Sequence, residues 1–167
     1  MTRTDAPRRA PLRVAVARHN AAGAAAVVRA AEAGVRVVLF PGLSLTGYGH
    51  GPELTLIREA CRATGVTAVA GDGVIVAPDR EPGAGSRALT VDGWRLALGI
   101  SQDARSLGHA RAAARSGADA CLWGAFVYGP DGRILAEAGA GEAELVVAEL
   151  QDAGPAGTRP AVSACVV

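Results

Sequence analysis

The chain contains no lysine: all 17 of its basic residues are arginine. Aromatic residues are scarce, with two each of Trp, Tyr and Phe, so a core has to be assembled from Ala, Val and Leu. The three cysteines, Cys61, Cys121 and Cys165, lie far apart, and no CxxC occurs. With only three scattered histidines no zinc spacing can be written, and neither a metal nor a cofactor is expected. A net charge of +1 gives none of the basic footprint that a nucleic-acid partner requires. Arg, Glu or Gly interrupts every apolar run before 18 residues, so no membrane-spanning helix is expected. Met1–Pro11 is basic and polar and lacks the apolar stretch of a secretory signal. With an odd number of cysteines, this sets a cytoplasmic expectation. Cys61 and Cys121 read as buried, inert thiols.

What is present fits one globular domain. Half of the 167 residues are hydrophobic and a fifth are charged, with a mean hydropathy of +0.23, which excludes a largely disordered chain. Residues 1–11 read as a flexible basic tail, 12–150 as the domain and 151–167 as a C-terminal tail with no clear period.

Leu12–Ala17 is a strand candidate. Asn20 suits an N-cap, and Ala24, Val27, Val28 and Ala31 recur at helical spacing up to Gly34. Val35–Phe40 is apolar and β-branched and is ended by Pro41. A β-α-β unit with so short a connection favours parallel strands. Pro52 and Glu53 open a second helix whose apolar face is Leu54, Ile57 and Cys61, with Gly65 as its stop. Val66–Ala70 and Val74–Ala77 are strands. Ala88–Val91 and Trp94–Ile100 flank Asp92-Gly93, a hairpin signal. A third helix is predicted over Ser106–Ser116, with Leu107, Ala110 and Ala114 facing inward. Short strands follow at Ala120–Trp123, Phe126–Tyr128, Ile134–Glu137 and Glu144–Leu150. The pattern is an α/β sandwich.

Chemistry is best placed where Trp94–Ile100 turns through Ser101-Gln102-Asp103 toward a helix, because side chains at such a turn stand at the sheet edge. Ser101 there is a candidate nucleophile that would need a base within hydrogen-bond reach, and Asp103 is a second polar participant. The Pro41–Pro52 loop lies on the same edge if the strands are parallel, and His50 is its titratable residue. The plain alternatives are a turn or cap role for Ser101 and Asp103 and a solvated loop position for His50.

Three stretches then resemble one family. Ala30–Gly49 (AAEAGVRVVLFPGLSLTGYG), Trp94–Leu122 (WRLALGISQDARSLGHARAAARSGADACL) and Tyr128–Gly139 (YGPDGRILAEAG) look like the nitrilase, or carbon–nitrogen hydrolase, superfamily. The resemblance implies an α-β-β-α sandwich, here shortened, and hydrolysis of amides or nitriles by a Glu–Lys–Cys triad. In that triad a thiolate attacks the carbonyl carbon, a carboxylate shuttles the proton and a cation offsets the developing oxyanion.

The carry-over fails at each member. The position of the Glu is Gly42, that of the Cys is Ser101, and the Lys would fall between Val74 and Ala88 in a chain without lysine. Loss of a nucleophile or base in a comparable triad costs on the order of 10⁴–10⁶ in rate. The expectation is therefore a catalytically inactive homologue that binds a small amide or carboxylate ligand or serves as a partner subunit. Two alternatives stand beside it: an amide hydrolase with altered chemistry at Ser101, and a compacted remnant with no independent function. A thin, Ala-rich core also favours a homodimer. Ala112 and Ala113, on the flanks of the third helix, are small enough to admit a partner helix.

Overall fold

The computed structural model describes residues 9–18, 22–41, 51–83, 87–99, 112–138, 144–152 and 165–166. Strand β1 (Leu12–Ala17) is apolar at every position except Arg13 and buried on both faces. Alternate residues of a strand point to opposite sides, so a strand of this kind needs a layer on each side. Leu12, Val14 and Val16 enter one apolar cluster, and Ala15 and Ala17 enter another.

Around β1 stand α1 (Gly23–Glu32), β2 (Val37–Phe40), α2 (Gly51–Thr64), β3 (Thr67–Ala70) and β4 (Ile75–Val76). After them come β5 (Ala88–Val91), β6 (Trp94–Gly99), β7 (Ala120–Trp123), β8 (Phe126–Tyr128), β9 (Ile134–Glu137), β10 (Leu145–Leu150) and β11 (Cys165–Val166). The strands form a six-stranded sheet in the order β11-β10-β1-β2-β3-β4 and a five-stranded sheet in the order β5-β6-β7-β8-β9. The β1–β2 and β2–β3 pairs are parallel, as a β-α-β unit demands. The β6–β7 pair is parallel as well. Asp92 and Gly93 have φ of 49° and 79°, and β5 and β6 pair across them from Val91 with Trp94 outward. This is the positive-φ turn expected of Asp-Gly in a two-residue hairpin.

Between the sheets, Leu12, Val14, Leu39 and Leu150 meet Leu89, Leu96, Leu98 and Leu122 in one buried cluster. On the outer side of the six-stranded sheet, Val38, Phe40, Ala68 and Val147 pack with Ala26, Val27, Ile57 and Cys61 of the two helices. On the outer side of the five-stranded sheet, Ala97 and Cys121 pack with Ala113 and Ala118, and Tyr128 lies against them. Residues 112–115 are helical, and Ala113 belongs to this outer cluster. The layering is α-β-β-α.

Several readings are corrected. The buried face of α1 is Gly23, Ala26, Val27 and Ala30, one position back from the face built on Ala24, Val28 and Ala31; Val28 is exposed. The cause is Gly23: a Cβ there would lie 2.7 Å from Ile57 Cδ1, so the helix turns its smallest residue toward α2. The residue before α1 is Ala22, whose side chain makes no cap hydrogen bond; Asn20 lies outside the described residues. Ala113 faces its own sheet, not a partner, because it fills the space beside Ala97 and Cys121. Within the 151–167 segment, Cys165–Val166 pairs antiparallel with Val147 and Val146, a strand too short to leave a period.

Arg9, in the segment read as a tail, is held firmly. Its guanidinium donates to Asp119 and Asp152 at 2.8 and 2.7 Å and to the Gly93 carbonyl at 3.1 Å. It also stands 3.9 Å above the centre of the Trp94 ring, within cation–π range. Trp94 Nε1 donates to the Ala10 carbonyl at 2.9 Å. An arginine fork can satisfy two carboxylates at once, and here it ties the chain start to both sheets.

Candidate functional site

The position of a site follows from which way the strands run. Arg9, just before β1, contacts Asp119, just before β7. Arg36, just before β2, donates from Nε to Asp92 Oδ2 at 2.9 Å, and Asp92 lies in the turn that leads into β6. The N-terminal ends of β1, β2, β6 and β7 thus share one pole. Their C-terminal ends, including Phe40-Pro41 and Gly99, share the opposite pole. That is the edge where side chains beyond the strand ends converge in open α/β sheets.

Two glycines shape this edge. A Cβ on Gly71 would lie 2.4 Å from the Pro41 carbonyl oxygen and 3.2 Å from that of Phe40, so the ends of β2 and β3 press together backbone to backbone. A Cβ on Gly99 would lie 3.0–3.2 Å from Trp123 atoms; Gly99 and Trp123 are register partners. Gly99 therefore lets the Trp123 indole lie across the end of β6, two residues before Ser101. Trp123 also stacks on Tyr128, with centroids 5.9 Å apart, and meets Phe126 at 6.5 Å. Sequence reasoning missed Gly71 and Trp123. Gly99 stood inside a quoted motif, but its role depends on the residue across the ladder, which spacing does not reveal.

Gly42, His50, Ser101 and Asp103 lie outside the described residues, as do His19 and His109. The described residues place the chain just before two of them: Pro41 immediately before Gly42, and Gly99 two positions before Ser101, at the same pole.

The two described thiols offer no replacement nucleophile. Cys61 and Cys121 are buried, at 0% and 4% exposure. Burial in apolar surroundings pushes both thiols up to about 11, where almost no thiolate exists at neutral pH. Cys61 lies on the buried face of α2 against the six-stranded sheet, and Cys121 faces the outer side of the second sheet, so neither opens on the β2/β6 edge. Among the described residues no cluster of three or more His, Cys, Asp or Glu could hold a metal ion, and no helix is long and apolar enough to cross a membrane.

No family model matches the sequence, and no curated protein matches it. Solved structures do. A variant of the Nesterenkonia AN1 amidase from the nitrilase superfamily, with a cysteine replaced by alanine, aligns at 19% identity over 87% of this chain and 93% of that one, with a TM-score of 0.60. A double variant of the amidase from Nesterenkonia sp. AN1, in complex with acrylamide, aligns at 20% identity over 89% and 94%, with a TM-score of 0.59. A third variant of that amidase shows covalent addition of the acetamide moiety of fluoroacetamide at its active-site cysteine. It aligns at 19% identity over 84% and 91%, with a TM-score of 0.59. At these identities the likeness establishes the fold: the chain is built as the nitrilase-type α-β-β-α sandwich.

Proposed function

We propose that the chain keeps the nitrilase-type sandwich without its hydrolytic chemistry, and binds a small amide or carboxylate at the edge where β2 and β6 end. The observation that carries this reading is the residue set. Gly42 and Ser101 occupy the positions where the resemblance asks for Glu and Cys, and the chain has no lysine anywhere. Gly42 removes the proton shuttle. Ser101 replaces a thiolate by a hydroxyl, which needs strong base activation to attack a carbonyl. Without the lysine no side-chain ammonium is available to offset charge on the tetrahedral intermediate.

The strand directions support a ligand site at this pole. The burial of Cys61 and Cys121 speaks against a substitute thiolate. In the Nesterenkonia amidase acrylamide is bound and an acetamide moiety is captured on the cysteine; here the same class of small amide is the proposed ligand, held without covalent capture. The chain then acts as a binding or partner subunit, as a homodimer, in the cytoplasm.

Ammonia release from a panel of short amides and nitriles, at high protein concentration, tests the reading. Release at the buffer rate is expected. Turnover that Ser101→Ala abolishes would instead establish an altered hydrolase built on Ser101.

A further inference from the structure

At the opposite pole, between the N-terminal ends of the two sheets, lies a concavity of about 350 Å³. This volume falls at the lower end of the range for small-molecule sites. Its floor belongs to the inter-sheet layer: Leu89 and Ala77 are members of the buried core, with Val91 packed against it. Thr67 shares this floor. Its register partner is Val37, whose side chain faces the inter-sheet core, so Thr67 faces the same way. It is the one buried polar residue among the described residues, at 5% exposure.

The rim is charged and balanced. Arg36 is committed to Asp92 through the 2.9 Å contact, which bridges the two sheets at the mouth. Gly65, with φ of 77°, makes room for it: a Cβ there would lie 2.9 Å from an Arg36 terminal nitrogen. Asp79 and Arg80, both exposed, supply a second pair of opposite charges on the lining. Two guanidinium groups and two carboxylates sum to zero net charge. A net anion or a net cation gains little over bulk solvent in such a site. A molecule carrying one charge of each sign can satisfy both rim groups, because its carboxylate takes the planar guanidinium fork and its ammonium takes the carboxylate. The apolar floor is small, since Leu89 and Ala77 are almost fully buried; with Val91 it has room for a short aliphatic group only, and Thr67 stands beside it.

We infer that this inter-sheet cleft is a binding site for a small zwitterion of the α-amino acid class with a short aliphatic side chain. Its carboxylate lies at Arg80, its ammonium at Asp79, and its side chain on Leu89 and Val91. The site stands at the far end of the strands from Gly42 and Ser101 and is independent of the function proposed for that edge.

The test is calorimetric titration of the full-length protein with three molecules sharing a branched aliphatic group: L-valine, isovalerate and isobutylamine. At this cleft, read as the binding that Asp79→Asn or Arg80→Gln weakens, L-valine is expected to bind, and the other two at least about tenfold more weakly, since each loses one charge-assisted pair. Asp79→Asn and Arg80→Gln alter only exposed positions and leave the fold intact; each is expected to weaken L-valine about tenfold. The isosteric Thr67→Val reports the floor contact. Three results would each overturn the assignment: no heat with any of the three molecules, isovalerate binding as tightly as L-valine with both weakened by the rim variants, or L-valine affinity unchanged in both rim variants.

Discussion

On the outer side of the six-stranded sheet, Val38, Phe40, Ala68 and Val147 lie beneath two helices. On the outer side of the five-stranded sheet, among the described residues, Ala97 and Cys121 lie beneath one helical turn. Beside them the rings of Trp123, Phe126 and Tyr128 pack on one another. The two faces solve the shortage of aromatic residues differently. The first uses small residues and brings helices close, with Gly23 set against Ile57. The second gathers three of the six aromatic side chains on two adjacent strands, where cross-strand ring pairs add to the stability of the sheet. The candidate edge belongs to both faces, since Phe40-Pro41 ends a strand of the first sheet and Gly99 a strand of the second.

The comparison is broken most directly by truncating one anchor on each side. Ile57 is 0% exposed, and Ile57→Ala is expected to cost about 4 kcal/mol by opening a cavity that the helices cannot close. Trp123 is half-buried, and Trp123→Ala is expected to cost about 2 kcal/mol, below the usual range for a fully buried ring. Urea denaturation of both variants measures this. Equal losses would mean that the second face is as tightly built as the first.

The two edge glycines sharpen the same contrast. Gly71→Ala drives a Cβ against the Pro41 carbonyl at 2.4 Å. Backbone on both sides cannot yield cheaply, and about 3 kcal/mol is expected to be lost. Gly99→Ala meets the Trp123 ring at 3.0–3.2 Å, a side chain at the sheet surface that can tilt, and about 1 kcal/mol is expected. In a Trp123→Ala background the Gly99→Ala cost is expected to vanish, and a double-mutant cycle reads the coupling. Additive losses would show that the contact with the ring is not what holds position 99 to glycine.

How much of this was legible in the sequence depends on range. Strands β1 to β10 and both helices show in periodicity and punctuation, and Asp92-Gly93 marks the hairpin, because these signals act over a few residues. The face of α1 was misread by one position because Val28 outweighs Ala26 in hydrophobicity, while Gly23 carries no hydrophobic weight and still sets the rotation by its contact with Ile57. Arg9 escaped notice because Asp119 and Asp152 are 110 and 143 residues away. At the candidate edge, the strand ends before Gly42 and Ser101 were readable from a parallel β-α-β unit, whereas Gly71 and Trp123 act through neighbours in other strands.

The two thiols give a gentler probe of the same contrast. Both are held near 11, against about 8.5 in an unfolded chain. The folded state therefore keeps protons that the unfolded state releases. This stability is fully present below about pH 8.5 and is lost as pH rises from there through about 11. Iodoacetamide at pH 8 is expected to reach Cys121, under one described helical turn, several-fold faster than Cys61 on the buried face of α2, because labelling of buried thiols tracks local opening. Cys61→Ser and Cys121→Ser variants assign the rates. Faster labelling of Cys61 would reverse the order of the two faces.

The smallest expected effect lies on the seam between β1 and β10, where Arg13 also donates to the Ala33 carbonyl at the end of α1 at 2.9 Å. Arg13 and Glu149 are register partners, and Arg13 Nε donates to Glu149 Oε2 at 2.9 Å. Hydrogen bonds from Arg13 first, then from Gln151, hold the Glu149 carboxyl below its ordinary value, against a smaller opposing push from desolvation. A depressed folded value means that the unfolded state binds the proton more readily. The contribution is therefore present above the unfolded value near 4.3 and is lost as pH falls through the folded value. Arg13 is half exposed, so solvent screening keeps the pair under about 1 kcal/mol. Glu149→Gln is expected to flatten the acid limb of the stability curve between about pH 5 and 3 while leaving stability at pH 7 within about 1 kcal/mol of the parent. An acid limb unchanged in Glu149→Gln would mean that acid stability is governed elsewhere.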